Sequence, residues 1–160
     1  MSRLLKKTVI FLPVIFLFII DRIIKHILMN IARPAFAGAG GVHLIGDFFQ
    51  YKFTLNRGIA FGLGDGINNL IFLYTCIFIF LILCFFLVKF FIAKKYFFAF
   101  SLSLIAFGAF SNILDRIYSG GVIDYLDLKH FTVFNLADVM ITAGTFLIAV
   151  KILRIKGISR

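Results

Sequence analysis

Four long apolar segments dominate the pattern of hydrophobic and polar positions along the chain. They cover residues of about 8–29, 67–88, 96–114 and 134–153. Because a bilayer core needs roughly 20 apolar residues in a helix, each segment is long enough to cross a membrane. Lipid offers no partners to backbone N–H and C=O groups, so a spanning segment must be helical. The pattern predicts an all-α polytopic membrane protein with four transmembrane helices.

The first apolar segment also has features of a cleavable signal peptide, because it follows a basic start that ends at Lys7. A small-residue site, Ala35-Phe36-Ala37, comes later, but it lies far beyond the uncharged apolar run, which ends at Ile20. Cleavage sites normally follow that run directly. We therefore expect the first segment to be kept as a helix.

Two longer polar connections, of about 30–66 and 115–133, separate the apolar segments. In the first, apolar and polar side chains alternate from Phe49 to Asn56, which is typical of a half-buried strand. Residues 56–62 follow and end in a glycine-rich turn. The pattern predicts a small β-sheet in this first connection, lying on the membrane surface.

The composition excludes an ordinary soluble protein. Hydrophobic residues make up 62% and charged residues 15% of the 160-residue chain, against about half and about a quarter in an average soluble domain. A soluble domain of this size leaves too much surface exposed to hide that many apolar side chains. The aliphatic and aromatic content likewise excludes intrinsic disorder.

The charge is strongly basic, with 17 Lys and Arg against seven acidic residues, all of them Asp, and a net charge of +10. Basic residues flank apolar segments, so membrane topology explains them better than nucleic-acid binding, and no nucleic-acid partner is expected. With four spans, one side of the membrane carries basic residues without any acid: Arg3, Lys6, Lys7, Lys89, Lys94, Lys95, Lys151, Arg154, Lys156 and Arg160. The positive-inside rule places that side, and both termini, in the cytoplasm. The two polar connections are then outer loops, and every Asp faces outward.

Ionisable residues inside membrane segments are costly, which makes them candidates for function. Asp21 and Lys25 lie four residues apart on the first helix and can pair there. Asn112, Asp115 and Arg116 share one face at the end of the third helix. Structural alternatives stay open for both groups: an interfacial ion pair in the first, and a polar helix end with an internal Asp–Arg pair in the second.

Three further candidates lie near the second outer loop, and a fourth lies in the first. Asp124 follows Gly-Gly and has apolar neighbours, which indicates partial burial near the bilayer surface. Asn135 and Asp138 lie at the start of the last helix, where an N-cap with an acid in the first turn is an ordinary structural arrangement. Asp138 is nevertheless placed at apolar depth. Asn56 lies on the polar face of the predicted strand, where a simple turn residue is an equal alternative.

Two carboxylates that meet in a low-dielectric site form a known catalytic device. Since like charges at short distance cannot both ionise easily, the pair shares one proton. The ionised group can take a proton from water while the protonated group donates to a carbonyl oxygen, which hydrolyses a peptide bond without a metal. Spacing alone does not establish that Asp124 and Asp138 meet, and the other Asp residues compete for this role.

Other chemistries lack their sequence patterns. The three His residues, His26, His43 and His130, are scattered, and Cys76 and Cys84 lie inside an apolar run. Neither set has the spacing of metal ligands. Serine-nucleophile and phosphate-binding patterns are also missing from the sequence. We therefore expect neither a metal nor a cofactor.

Five short motifs follow one another along the chain. They are Asp21-Arg22-Ile23-Ile24-Lys25, Asn56-Arg57-Gly58-Ile59-Ala60-Phe61-Gly62, Gly108-Ala109-Phe110-Ser111-Asn112-Ile113-Leu114-Asp115-Arg116, Val122-Ile123-Asp124-Tyr125 and Phe134-Asn135-Leu136-Ala137-Asp138. In this order the motifs resemble the lipoprotein signal peptidase (signal peptidase II) family. Each motif is weak by itself, but the set is specific and covers essentially the whole chain.

The resemblance implies an intramembrane aspartyl endopeptidase that removes the signal peptide from lipid-modified bacterial prolipoproteins, cutting just before the diacylglyceryl-cysteine. Asp124 and Asp138 would be the catalytic pair that activates water. The other matching residues would orient the substrate or support the site: Asn56, Gly58, Asn112, Arg116, Asn135, Asp115, Asp21 and Lys25. The implied location is the bacterial cytoplasmic (inner) membrane, as a multi-pass protein with its active site near the extracytoplasmic face.

The implied partners are the lipid-modified prolipoprotein and membrane lipids, and we expect one membrane-embedded peptidase domain over 1–160 that acts as a monomer. Four positions depart from the family pattern: Phe107 and Ser111 replace usual Gly residues, Ile59 a usual Ala, and Tyr125 a usual Phe. Two rival hypotheses are a non-catalytic membrane assembly protein and a small transporter that uses intramembrane Asp residues. The scarcity of polar residues in the second helix argues against a transport path.

Overall fold

The computed structural model describes residues 8–32, 42–45, 49–58, 69–128 and 132–158. Four helices account for most of these residues: α1 (Leu12–Ile27), α2 (Asn69–Ile92), α3 (Tyr96–Ser119) and α4 (Leu136–Ile158). A 3-10 turn, Val9–Phe11, precedes α1, and a π-helical turn, Leu28–Ala32, follows it. The predicted basic start, the small-residue site at 35–37 and most of the predicted glycine-rich turn lie outside the described residues.

Within the described ranges, three helical stretches are long and apolar enough to cross a membrane: Leu70–Ile92, Tyr96–Ser119 and Leu136–Ile155. The molecule is therefore mostly helical, with the helices of a multi-pass membrane protein. α1 has 16 residues and carries Asp21, Arg22 and Lys25 in its second half, so it falls short of the same length. The fourth span remains a prediction.

α3 is the central helix, and most of the other elements pack against it. α4 approaches α3 closely at Gly108 and Gly144, where an added Cβ would collide with the backbone of Ala137 and Ser101. α2 lies on the outside and leaves large apolar side chains exposed, including Tyr74 at 66%. A helix that is apolar all round is typical of a membrane span, so this surface suits contact with lipid.

The described strands form one antiparallel sheet. Their order is β1 (Val42–Ile45), β2 (Phe49–Asn56), β3 (Val122–Leu128) and β4 (Val133–Phe134). β2 confirms the strand predicted from alternation, but the second loop supplies β3 and β4, so placing the sheet in the first loop alone was wrong. The prediction missed β3 because Val122, Ile123 and Tyr125 are all buried, which leaves that segment without an alternation of apolar and polar residues.

The end of α3 differs from the predicted span, which stops near 114. The helix continues to Ser119, and Gly120 follows it in the left-handed conformation, with a φ of 71°. Glycine is the residue that adopts this conformation at low cost. Asp115 and Arg116 therefore lie on the helix, as their predicted shared face with Asn112 requires, and the predicted loop of 115–133 begins too early. Their polarity did not mark the helix end, because the Asp115 side chain is buried in the protein interior.

The register between β2 and β3 determines where the polar residues meet. Thr54 pairs with Asp124, and Asn56 pairs with Val122. The end of β2 therefore lies beside the start of β3. Gly121 permits this approach, since a Cβ at that position would lie 2.9 Å from the carbonyl oxygen of Asn56.

Candidate active site

The predicted site residues come from five separate elements and meet beside the sheet. They are Asp21 and Lys25 on α1, Asn56 and Gly58 at the end of β2, Asn112, Asp115 and Arg116 on α3, Asp124 on β3, and Asn135 and Asp138 at the start of α4. Hydrogen bonds and ion pairs connect them all into one network. The structure therefore brings every predicted residue into one place, and their roles remain predictions.

Asp124 accepts hydrogen bonds from two side-chain amides. Asn135 Nδ2 donates to its Oδ1 at 2.7 Å, and Asn56 Nδ2 donates to its Oδ2 at 3.1 Å. The residue is only 3% exposed, and this burial raises the pKa of Asp124 to about 6. The Asn56 hydrogen bond opposes the rise, while the charge of nearby Asp138 adds to it. Asp124 thus holds a proton far more readily than an ordinary Asp does.

The raised pKa makes the stability contributed by Asp124 depend on pH. Between the ordinary value of 3.8 and about 6, the folded protein keeps a proton that the unfolded chain has released. This contribution is fully present below the lower value and is lost as pH rises through about 6, with a size of up to about 3 kcal/mol. We expect the wild type to lose melting temperature relative to Asp124→Asn as pH rises from acidic to neutral. A constant difference between the two proteins from acidic to neutral pH would contradict the raised pKa.

Asp138 and Asn135 cap the start of α4 reciprocally. Asp138 N donates to Asn135 Oδ1 at 2.9 Å, and Asn135 N donates to Asp138 Oδ2 at 3.2 Å. This is the arrangement of a capping box, in which two otherwise unpaired N–H groups are satisfied. The capping alternative is therefore correct in geometry. It also fixes the Asp138 carboxylate, whose Oδ1 accepts from Asn112 Nδ2 at 2.8 Å.

Amide groups connect the two carboxylates. The Asn135 side chain donates to Asp124 and, at 3.3 Å, also to Asn112 Oδ1. Asn112 in turn donates to Asp138. On the other side, Gly58 N donates to Asn56 Oδ1 at 3.0 Å, which turns the Asn56 Nδ2 group toward Asp124. The amides hold both carboxylates in defined orientations.

A buried ion network lies beneath these residues. Lys25 is completely buried, and its Nζ contacts Asp21 Oδ2 at 3.0 Å, Asp115 Oδ2 at 2.8 Å and Asn112 Oδ1 at 2.9 Å. The predicted Asp21–Lys25 pair therefore exists, within a larger cluster. Through Asn112 the Lys25 cation reaches one side of the carboxylate pair.

Asp115 pairs across helices and not with its neighbour on α3. Its Oδ1 accepts from Arg22 Nη1, and its Oδ2 accepts from Ile123 N at 3.2 Å as well as from Lys25. The alternative of an internal pair with Arg116 was thus wrong. Asp115 instead ties α3 to α1 and to the start of β3.

Arg116 lies at the edge of the site. Its guanidinium carbon is 4.9 Å from the centre of the Phe72 ring, and its Nη1 donates to Asn112 O at 3.3 Å. Its Nε is buried without a hydrogen-bond partner among the described residues. Buried polar groups normally have a hydrogen-bond partner. This donor has none among the described residues, so it is available to a ligand.

A cavity of about 760 Å³ joins the carboxylates to the surfaces of the helices. Its polar end is formed by Asn56, Asn112, Arg116, Asp124 and Asp138. Its remaining walls are mostly apolar and include Phe72 of α2 and Val139, Ile141 and Phe146 of α4. A largely apolar ligand that carries a polar group suits this lining.

Most of the sequence is similar to that of known proteins. Residues 13–154 match the family described as Signal peptidase (SPase) II. The chain belongs to the signal peptidase II family. A lipoprotein signal peptidase of Burkholderia ambifaria is 38% identical over 120 residues, which are 72% of each chain. Another, of Caldicellulosiruptor bescii, is 34% identical over 116 residues, which are 72% of this chain and 75% of the relative.

Two solved structures, both described as bacterial membrane enzymes, share the architecture of this signal peptidase II member. The first has a TM-score of 0.77 and 28% identity, covering 97% of this chain and 92% of that chain. The second has a TM-score of 0.70 and 29% identity, covering 92% of each chain. The sequence match to the family and the structural similarity to bacterial membrane enzymes are therefore consistent with each other.

Two departures from the signal peptidase II pattern have contacts in the interior. Phe107 packs edge-on against Phe18, with 5.5 Å between the ring centroids. Ser111 is completely buried and donates to Asp21. The added bulk of both residues is accommodated while α3 and α4 still meet closely at Gly108.

Sequence reasoning missed three side chains that contact the site: Arg22, Ser111 and Tyr125. Ser111 precedes Asp115 by four residues, so the shared helix face was a usable signal. The partners of Arg22 and Tyr125 lie on other elements, and nothing local in the sequence indicates those contacts.

Proposed function

We propose that this member of the signal peptidase II family is an intramembrane aspartyl endopeptidase. Its substrates are lipid-modified bacterial prolipoproteins, and it cuts just before the diacylglyceryl-cysteine. Family membership supports a peptidase that removes signal peptides from lipoproteins. The observation that carries the aspartyl mechanism is the pair of carboxylates, Asp124 and Asp138, linked by amides at the polar end of a largely apolar cavity.

In the proposed reaction the two carboxylates share one proton. The ionised group takes a proton from water as the water oxygen attacks the scissile carbonyl carbon, and the protonated group donates to the carbonyl oxygen. The tetrahedral intermediate then collapses as its C–N bond breaks. The newly protonated carboxyl gives its proton to the leaving amine, and a hydroxyl of the intermediate returns a proton to the other carboxylate. The pair thereby regains its starting state.

The surrounding residues suit the task of holding a peptide. Asn56 and Arg116 line the cavity beside Asp124, and the buried Nε of Arg116 offers a donor to a backbone carbonyl of the substrate. The apolar walls receive the acyl chains and the apolar residues of the signal peptide. Because the lipid anchor holds the substrate in the bilayer, cleavage has the advantage of a high effective concentration.

We further propose four membrane spans, with α1 as the first and both termini in the cytoplasm. α1 contacts α3 through its Asp21, Arg22 and Lys25 side chains, which supports its place inside the bundle. The sheet and the carboxylates then lie near the extracytoplasmic face of the bacterial inner membrane. The enzyme acts there as a monomer, a single membrane-embedded domain.

Processing of a purified substrate tests the proposal. The full chain in detergent, with a chelator present, is expected to cut a diacylglyceryl-modified prolipoprotein, and mass spectrometry is expected to find the modified cysteine at the new N-terminus. The same prolipoprotein without its lipid serves as the control and should stay intact. Folded protein that cuts none of several lipidated substrates would reject the proposal, and activity lost only with the chelator would reject metal-free chemistry.

A further inference from the structure

Two buried hydroxyl groups hold the carboxylate of Asp21 from opposite sides. Tyr125 OH donates to Asp21 Oδ1 at 3.0 Å, and Ser111 Oγ donates to Asp21 Oδ2. Asp21 and Ser111 are completely buried, and Tyr125 is only 3% exposed. Burial raises the pKa of Tyr125, so its hydroxyl stays protonated and available as a donor. Each oxygen of Asp21 thus receives a hydrogen bond from a different element, β3 and α3.

The Tyr125 hydroxyl also reaches the first turn of α4. It accepts a hydrogen bond from Leu136 N at 3.1 Å, while Ala137 N lies 3.3 Å from Asp21 Oδ1. These two N–H groups belong to the start of a helix, where the backbone donors have no partner within the helix itself. Tyr125 and Asp21 together supply those partners.

The position of these contacts along the chain connects them to the carboxylate pair. Tyr125 directly follows Asp124 on β3, and Leu136 and Ala137 lie directly before Asp138 on α4. One hydroxyl group therefore joins the strand that carries the first carboxylate to the helix turn that carries the second. The pairing of Leu126 with Phe134 and the Asn135–Asp124 hydrogen bond also join β3 to the residues before α4. The Tyr125 hydroxyl adds a contact to the backbone of the first turn of α4 itself.

We infer that Tyr125 is a positioning residue for the carboxylate pair and that Ser111 supports it through Asp21. This inference rests on the proposed function. Tyr125 does not touch the substrate in this scheme. It sets the separation and angle between Asp124 and Asp138, and small errors in such geometry lower the rate of the chemical step far more than they lower substrate binding.

The test is Tyr125→Phe in the full-length chain, assayed on a diacylglyceryl-modified prolipoprotein. The ring and its packing stay in place, and only the hydroxyl is lost. We expect kcat per folded molecule to fall about tenfold, while KM changes less than about twofold. Tyr118→Phe is the matched control. Tyr118 is 80% exposed, so removal of the same hydroxyl there is expected to leave kcat unchanged.

The outcomes separate this inference from the proposed function. An inactive, folded wild type rejects the proposed function. If the wild type is active and kcat of Tyr125→Phe is unchanged, the inference is overturned and the proposed function stands. A change of KM alone in Tyr125→Phe has the same meaning. If Tyr125→Phe does not fold, Ser111→Ala decides: a lower kcat at unchanged KM supports the inference, and an unchanged kcat overturns it.

Discussion

Asp124→Asn and Asp138→Asn are each expected to abolish prolipoprotein cleavage, lowering kcat/KM by about 10³-fold or more. In the proposed mechanism each substitution removes a group that must exchange a proton during the reaction. An amide can neither take a proton from water nor pass one to the leaving amine. The measurement is the cleavage rate of a diacylglyceryl-modified prolipoprotein by purified, folded enzyme.

The chain offers a matched control for this experiment on the same strand. Asp127 lies three residues after Asp124 on β3, and its partner Lys52 is 3.8 Å away and 56% exposed. Asp127→Asn is therefore expected to leave activity near that of the wild type. Substantial activity in either folded Asp124→Asn or folded Asp138→Asn would remove that residue from the pair. Asp115 on α3 would then become the next candidate for that role.

Lys25→Met is expected to destabilise the protein by about 3–5 kcal/mol, the largest stability effect in this set. The substitution leaves the buried Asp21 carboxylate without its cation and leaves Asp115 paired with Arg22 alone, and an uncompensated buried charge is costly. It also removes one of the two donors to Asn112 Oδ1, so we expect any remaining folded protein to be less active. The measurements are the yield of folded protein and its melting temperature.

Lys52→Met is the control for the charge itself. Lys52 forms a long, mostly exposed pair with Asp127, and pairs of this kind contribute up to about 1 kcal/mol. A Lys25→Met protein as stable as Lys52→Met would mean that the buried cluster does not depend on its cation. The α1 contacts with α3 would then need another explanation.

Local patterns in the sequence predicted the elements whose residues divide clearly into two classes. The alternation in 49–56 predicted β2, and uninterrupted apolar runs predicted the helices. β3 has no such division, because both faces at its start are buried. The end of α3 was misplaced for a related reason: Asp115 is polar but points into the interior, where it pairs with α1.

The site could be predicted only where its contacts are local or where the family motifs supply them. Spacing of four residues predicted the Asp21–Lys25 pair. Nothing in the spacing of Asp124 and Asp138 shows that they share bridging amides, and only the resemblance singled out that pair. The cross-element contacts of Tyr125 depend on how β3 packs against α1 and α4, so a single sequence contains no local sign of them.

The hydrogen bonds at the start of α4 have a consequence for inhibitors that bind in this cavity. A compound bound at its polar end would contact Asp138 and Asn112. Asp138 caps α4, and Asn112 accepts a hydrogen bond from Lys25. An escape substitution at either residue weakens the fold as well as the binding of the drug. Val139 and Phe146 line the same cavity and are exposed by 42% and 66%. Resistance is therefore expected to arise first along these apolar walls.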